Sequence, residues 1–254
     1  MIIWEAIMQH IIKSFQGFRL SGMASTLEER LIYANNNKLS HAEFLEILCE
    51  DEKNNRHDNS YRRREKAAKL PHHKQLEDFD FSFQSSIDKK LISDLATCQF
   101  IKRKENAIFI GDSGTGKTHL SISLALKALS RDHTVFFTTV SDLLYNLHLA
   151  KADNSYHKKL KQVVDYDLLI LDELGFKQLP KYSTDDFFNV ISKRYEHKST
   201  IITTNKIIEE WNDIFDEEVL TRAIIDRLLH HASIIPIKGK SYRLKNNKSE
   251  ANMT

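Results

Sequence analysis

The octapeptide Gly111-Asp112-Ser113-Gly114-Thr115-Gly116-Lys117-Thr118 constrains this chain more than any other stretch. It satisfies G-x-x-x-x-G-K-[ST] at every fixed position, a pattern that works only as a tight loop between a strand and a helix. Glycines let such a loop turn its amides inward onto an anion. The helix that follows adds the positive end of its dipole. Both flanks fit: Ala107–Ile110 reads as a short apolar strand, and Lys117 to about Ser130 reads as an amphipathic helix. The loop is therefore expected to hold phosphates, with Lys117 as a point charge on the β- and γ-phosphates and the Thr118 hydroxyl as a ligand of Mg2+.

Beyond the loop, strands and helices alternate. A helix is expected after Ser86, then strands at Val135–Thr139, Leu168–Leu171, Thr200–Thr204 and Ser233–Ile237. Between them lie a helix capped by Ser141 and helices over Asp185–Glu196 and Val219–Leu229. The unbroken run Leu168–Leu171 suits a central strand buried on both faces. This alternation predicts an α/β fold with a parallel sheet flanked by helices. Residues 1 to about 75 contain no convincing strand. Met1–Ile12 reads as an amphipathic helix, and Ser40-His41-Ala42-Glu43 is a capping box ahead of apolar residues at helical spacing. A basic helix then runs to Pro71, which cannot donate the next amide. The expected division is a small all-helical domain over 1–75 and an α/β domain over 76–254.

A strand that ends in Asp172-Glu173 carries two acids to the carboxyl edge of the sheet, where open α/β folds bind ligands. Asp172 can hold Mg2+ directly or through water. Glu173 can deprotonate an attacking water, or it is simply a surface acid. Asn205, at the tip of the next strand, can fix that water or touch a γ-phosphate, or it is a turn asparagine. Asn205-Lys206-Ile207-Ile208 lacks the aspartate of a guanine-reading N-K-x-D, so ATP is expected over GTP. Arg227 and Arg243 either neutralise charge on a γ-phosphate or form ordinary surface ion pairs.

Charge is uneven. The chain carries only +2 overall, yet Lys53–Lys74 holds eight Lys/Arg against two acids, and Lys238, Lys240, Arg243, Lys245 and Lys248 follow one another without an acid. Either these stretches meet a polyanion or they are solvated helix faces. Cys49 and Cys98, each in a helical-looking segment, are expected as reduced thiols of a cytoplasmic protein. No stretch has the ~20 apolar residues of a membrane span. His72-His73 and His230-His231 are not expected to bind metal, because neighbours on a helix point about 100° apart.

The segments GDSGTGKTHL (111–120), YDLLILDELGF (166–176), STIITTN (199–205) and DRLLHHASIIPIKGKSYRL (226–244) resemble the IstB-like ATP-binding proteins, the helper ATPases of insertion-sequence transposons. LSGMASTLEERL (20–31) and LEDFDFSFQSSIDKKLI (76–92) extend the likeness over nearly the whole chain. Asp112-Ser113 stands where Pro-Pro is common in such proteins.

The resemblance implies a P-loop AAA+ core related to DnaC-type helicase loaders, oligomerising with ATP on duplex DNA and handing that DNA to a transposase. It implies Walker A roles for Gly111–Thr118, Walker B roles for Asp172 and Glu173, and a sensor role for Asn205. Arg227 would be an arginine finger reaching an ATP site shared with a neighbouring subunit, and Arg243 a sensor arginine in its own site. In initiator-type relatives an extra helical insertion between the second strand and the strand that ends in the two acids faces DNA; the matching interval here holds Lys151, Lys158, Lys159 and Lys161. Three other readings compete: a loader whose partner is a replicative helicase, a P-loop small-molecule kinase, and a DNA adaptor that does not hydrolyse ATP.

Overall fold

Five runs rich in branched and aromatic residues form one parallel sheet in the computed structural model of the chain, which describes residues 2–177, 179–180 and 183–243. They are β1 (Asn106–Gly111), β2 (Val135–Thr139), β3 (Leu168–Leu174), β4 (Ser199–Thr204) and β5 (Ala232–Ile237), in the order β2-β3-β4-β1-β5. The alternating pleat sends Ile108, Leu169, Leu171 and Ile202 into one hydrophobic cluster with Phe187 and Trp211. Their neighbours Ala107, Phe109, Leu168, Ile170 and Ile201 are equally buried and face the other way. Burial on both faces is what a parallel sheet covered by helices requires.

Two compact units divide the chain, Met1–Arg63 and Arg64–Thr254. The first is helical: α1 (Ile2–Gly17), α2 (Ser21–Asn37) and α3 (His41–Ala68), the last crossing the division. Met8, Leu27 and Leu48 form its core. The capping box is made: the Ser40 amide donates to Glu43 Oε2 at 2.7 Å, and the Glu43 amide donates to Ser40 Oγ at 3.3 Å. Part of the basic stretch is engaged locally, since Arg56 pairs with the buried Glu52 at 2.6 Å and Lys53 with Glu50 at 3.3 Å. Cys49 and Cys98 are both free thiols.

The second unit adds α4 (Lys89–Ala96), α5 (Gln99–Lys102), α6 (Lys117–Leu129), α7 (Val140–Ala152), α8 (Tyr156–Asp165), α9 (Ser183–Arg194) and α10 (Glu218–Leu229). Three local expectations change. Thr139, not Ser141, caps α7, accepting the Asp142 amide at 3.0 Å. Cys98 is not helical but a left-handed link between α4 and α5, with φ 61°. Strand β3, expected to end in Asp172-Glu173, runs one residue further to Leu174, with a register shift against β4 between Leu171 and Leu174. Arg194 is 1% exposed and its guanidinium donates to the carbonyls of Val164 and Tyr166 at 2.9 and 2.8 Å, closing the end of α8 onto the sheet. Among the described residues no helix is long and apolar enough to cross a membrane. Lys245 and Lys248, expected in the basic tail, lie outside the described residues.

Candidate functional site

The phosphate loop leaves β1 at Gly111 and enters α6 at Lys117, as the octapeptide demands. Gly114 and Gly116 have φ of 80° and 101°, a region in which any side chain is strained. Space forbids one as well. A Cβ on Gly116 would sit 2.5 Å from the Phe79 ring, and one on Gly114 would sit 2.1 Å from Ser241 Oγ. The loop is thus clasped from two sides. On one, the segment before Phe79 lies on α6, with His119 Nε2 2.9 Å from the Gln75 carbonyl and Ser123 Oγ donating to the Lys74 carbonyl at 2.9 Å. On the other, the Tyr242 amide donates to the Gly114 carbonyl at 2.9 Å and fixes the backbone next to Arg243.

Lys117 Nζ donates to the carbonyls of Gly111 and Asp112, each at 2.7 Å, so the ammonium is held across the loop. Burial pushes it below the usual lysine range, while Asp172 and Asp112 pull the other way. The Thr118 hydroxyl meets both oxygens of Asp172, at 2.9 and 3.1 Å. Asp172 is 5% exposed, an unusual place for a carboxylate unless other groups satisfy it. Thr203 is such a group: its hydroxyl donates to Asp172 Oδ1 and accepts the amide of Glu173 at 3.0 Å. Glu173 itself has φ 63°, a costly conformation for a non-glycine residue. The register shift puts it there. It turns the Glu173 side chain outward while Asp172 stays under Thr118, and Thr204 Oγ1 closes the bulge onto the Leu174 carbonyl at 2.8 Å.

A cavity of about 600 Å³ opens over the loop. Ser113 to Thr118, Glu173, Asn205 and Arg243 all line it, so most of the residues singled out from sequence converge on one space. Its lining also includes Phe79, Gln84 and Tyr242. The Asp112 side chain does not line it; Asp112 takes part through its carbonyl. Arg227 lies elsewhere, its Nη1 donating to the Ala223 carbonyl at 2.9 Å and its guanidinium 5.0 Å from the Phe188 ring centre. The roles of Thr203 and Thr204 are not evident from sequence alone. The one signal there is a pair of hydroxyls after the apolar Ile201-Ile202 of a strand that also begins with two, Ser199 and Thr200.

Chemically, the cavity offers a cationic loop floor, the Thr118 hydroxyl backed by the buried Asp172 carboxylate, and an exposed carboxylate in Glu173. That donor set fits Mg2+, which prefers oxygen and takes few protein ligands.

The sequence profile of the family described as IstB-like ATP binding protein matches residues 14–251. An insertion-sequence ATP-binding protein of Bacillus thuringiensis subsp. berliner is 38% identical over 96% of this chain and 98% of its own length. Another from Pseudomonas aeruginosa is 39% identical over 93% of this chain and 89% of its own. Among solved structures, the DnaC helicase loader superposes with a TM-score of 0.52 at 24% identity, covering 59% of this chain and 87% of that one. AMPPCP-bound DnaA from Aquifex aeolicus gives 0.56 at 19%, covering 73% and 56%. At those identities the likeness is one of fold. Loop, acids, strand order and profile agree: the chain belongs to the IstB-like ATP binding protein family and is an ATPase on an AAA+ P-loop core.

Proposed function

We propose that this chain is an ATP-dependent DNA-binding ATPase that assembles on duplex DNA, remodels it and assists a transposase in choosing and joining a target. The observation that carries the ATPase half is the convergence of Lys117, Thr118 and Glu173 on one cavity, with Asp172 directly beneath Thr118 and both acids held in place by Thr203. The biological half rests on relatives that are named for insertion sequences and match nearly end to end.

In this reading the amides of Gly111–Thr118 and the Lys117 ammonium grip the β- and γ-phosphates. Thr118 and Asp172 hold the Mg2+, which neutralises charge on the phosphate oxygens when bound. Glu173 takes the proton of the attacking water, a task that suits a carboxylate turned into the cavity. Asn205 positions that water or the γ-phosphate, and Arg243 meets the developing charge from within the same chain. Arg227, absent from its own chain's cavity, serves the site of a neighbouring subunit, so that hydrolysis and homo-oligomer assembly are linked. Residues 1–75 form the partner and oligomerisation domain, and 76–254 the ATPase domain, of a cytoplasmic protein.

DNA contact falls on α8, where Lys158, Lys159 and Lys161 are exposed. Lys151 serves structure instead: its Nζ pairs with the buried Asp186 at 2.8 Å and lies 5.3 Å from the Tyr156 ring centre. Binding of this kind is driven by the phosphate backbone and weakly sequence-specific. A replicative helicase as partner is the alternative, favoured only by the fold likeness to a loader. A pull-down with the full chain, ATP and duplex DNA distinguishes them. Capture of an integrase-type transposase supports the reading, and capture of a helicase alone replaces it.

A further inference from the structure

Glu196, His230 and His231 meet at the amino edge of the sheet, opposite the phosphate loop. Strands β4 and β5 begin just after them, at Ser199 and Ala232, and the Asn106 amide at the start of β1 donates to the His231 carbonyl at 2.7 Å. The divergence of neighbouring histidines applies only inside a helix. Here α10 ends at Leu229, His230 is its cap and His231 belongs to the turn beyond. The two rings consequently face each other, with centres 4.0 Å apart and planes 37° apart. Glu196 Oε1 reaches between them, 4.0 Å from His230 Nδ1 and 3.9 Å from His231 Nε2.

We propose that these three side chains form a binding site for a borderline divalent transition-metal ion of the zinc class. One potential ligand atom from each lies within 4.8 Å of the others. Two imidazole nitrogens and one carboxylate oxygen are a donor set that zinc favours. Mg2+ prefers oxygen ligands, so the cluster would not compete for the ion at Thr118 and Asp172. Metal–ligand bonds of about 2.0–2.2 Å need donors about 3.3–3.6 Å apart in a tetrahedron. All three side chains are exposed, which leaves them room to close on an ion from the present separations.

The carboxylate is almost equidistant from the two rings and pairs tightly with neither, which is the placement of a third ligand more than of an ion-pair partner. The Tyr195 hydroxyl lies 2.5 Å from His230 Nδ1, and it would either swing away or complete the fourth position in place of water. The ion would tie the turn after α9 to the end of α10. Those two helices hold Phe188 and Arg227, so occupancy would stiffen the seat of the arginine.

The test uses the full chain, stripped with a chelator, with Zn2+ presented in competition with a chromophoric chelator and Mg2+ in excess. The expected result is one equivalent of Zn2+ taken up, weakened at least about tenfold by Glu196→Gln and by His231→Ala. Because free thiols also bind zinc, imidazole nitrogen NMR on the unsubstituted chain is the second readout. His230 and His231 resonances should move with Zn2+ while those of His72 and His73 stay. Failure of the parent to take Zn2+ from the chelator would overturn the proposal, as would uptake unchanged in His230→Ala/His231→Ala or shifts confined to other histidines.

Discussion

The hydroxyl of Thr203 donates to the carboxylate of Asp172 across the register shift between β3 and β4. The same hydroxyl accepts the amide of Glu173, so one side chain on β4 sets the positions of both acids on β3. Thr203→Val keeps the shape and removes both bonds. ATP affinity should change little, because the loop is untouched, while kcat falls at least about tenfold and the Mg2+ requirement rises. Thr203→Ser should restore both. A Mg2+ titration of ATP turnover reads the effect; a loss of ATP binding in the Val variant with normal Mg2+ dependence would contradict it.

Arg227 and Arg243 should separate in mixing experiments. Arg227→Ala and Glu173→Gln are each expected to be inactive alone. Mixed, they can form an interface in which one subunit supplies Glu173 and its neighbour supplies Arg227, and turnover should partly return. Arg243→Ala mixed with Glu173→Gln should stay inactive, because Arg243 lines the cavity of its own chain. Turnover by the second mixture, or none by the first, would refute the division of labour.

Charge reversal at Lys158, Lys159 and Lys161 should weaken binding to all duplex sequences alike. The slope of log affinity against log salt should shrink by about 0.9 for each DNA phosphate that is no longer neutralised. Lys151→Met should act differently. It removes the cation facing buried Asp186 and should cost about 2 kcal/mol of stability with little change in the salt slope. Fluorescence anisotropy across a salt series and thermal unfolding measure the two.

Asp167 makes the second unit acid-sensitive. Burial raises its pKa, but Lys198 at 2.7 Å and the Thr134 amide and hydroxyl outweigh burial and bring it down to about 2. A carboxylate whose folded pKa lies below its unfolded value adds stability above the unfolded pKa and loses it as pH falls toward the folded one. The window is therefore roughly pH 4 to 2. Because the group is partly solvated, the contribution is about 1 kcal/mol after screening. Asp167→Asn should lower stability by that amount at pH 7 and flatten the acid limb between pH 4 and 2, as urea unfolding would show.

Much of the fold and the site is legible in the residues. The octapeptide requires a strand before it and a helix after it, and β1 and α6 follow. Leu168–Leu171, apolar without interruption, is expected for a central strand, and all four are fully buried in β3. Pattern fails where tertiary contacts decide. The acids 172 and 173 break the hydrophobic run that marks a strand, yet Thr203 and Thr204 keep β3 paired through a bulge. Helix α2 carries Asn35, Asn36 and Asn37 in its last turn and buries only Gly22 and Leu27, leaving little periodicity to detect. For the histidine pair helical spacing is a poor guide, since α10 ends at Leu229 and the two ring centres lie 4.0 Å apart.

We propose that Lys117, Asp172 and Glu173 form one ATP-hydrolysing site. It is tested most directly by measuring ATP binding and phosphate release, with Mg2+, in the parent chain, Lys117→Ala and Glu173→Gln. The parent should bind and hydrolyse, Lys117→Ala should fail to bind, and Glu173→Gln should bind normally but turn over at least about a hundredfold more slowly. A Glu173→Gln variant as fast as the parent, or a parent that takes up no ATP, would contradict it.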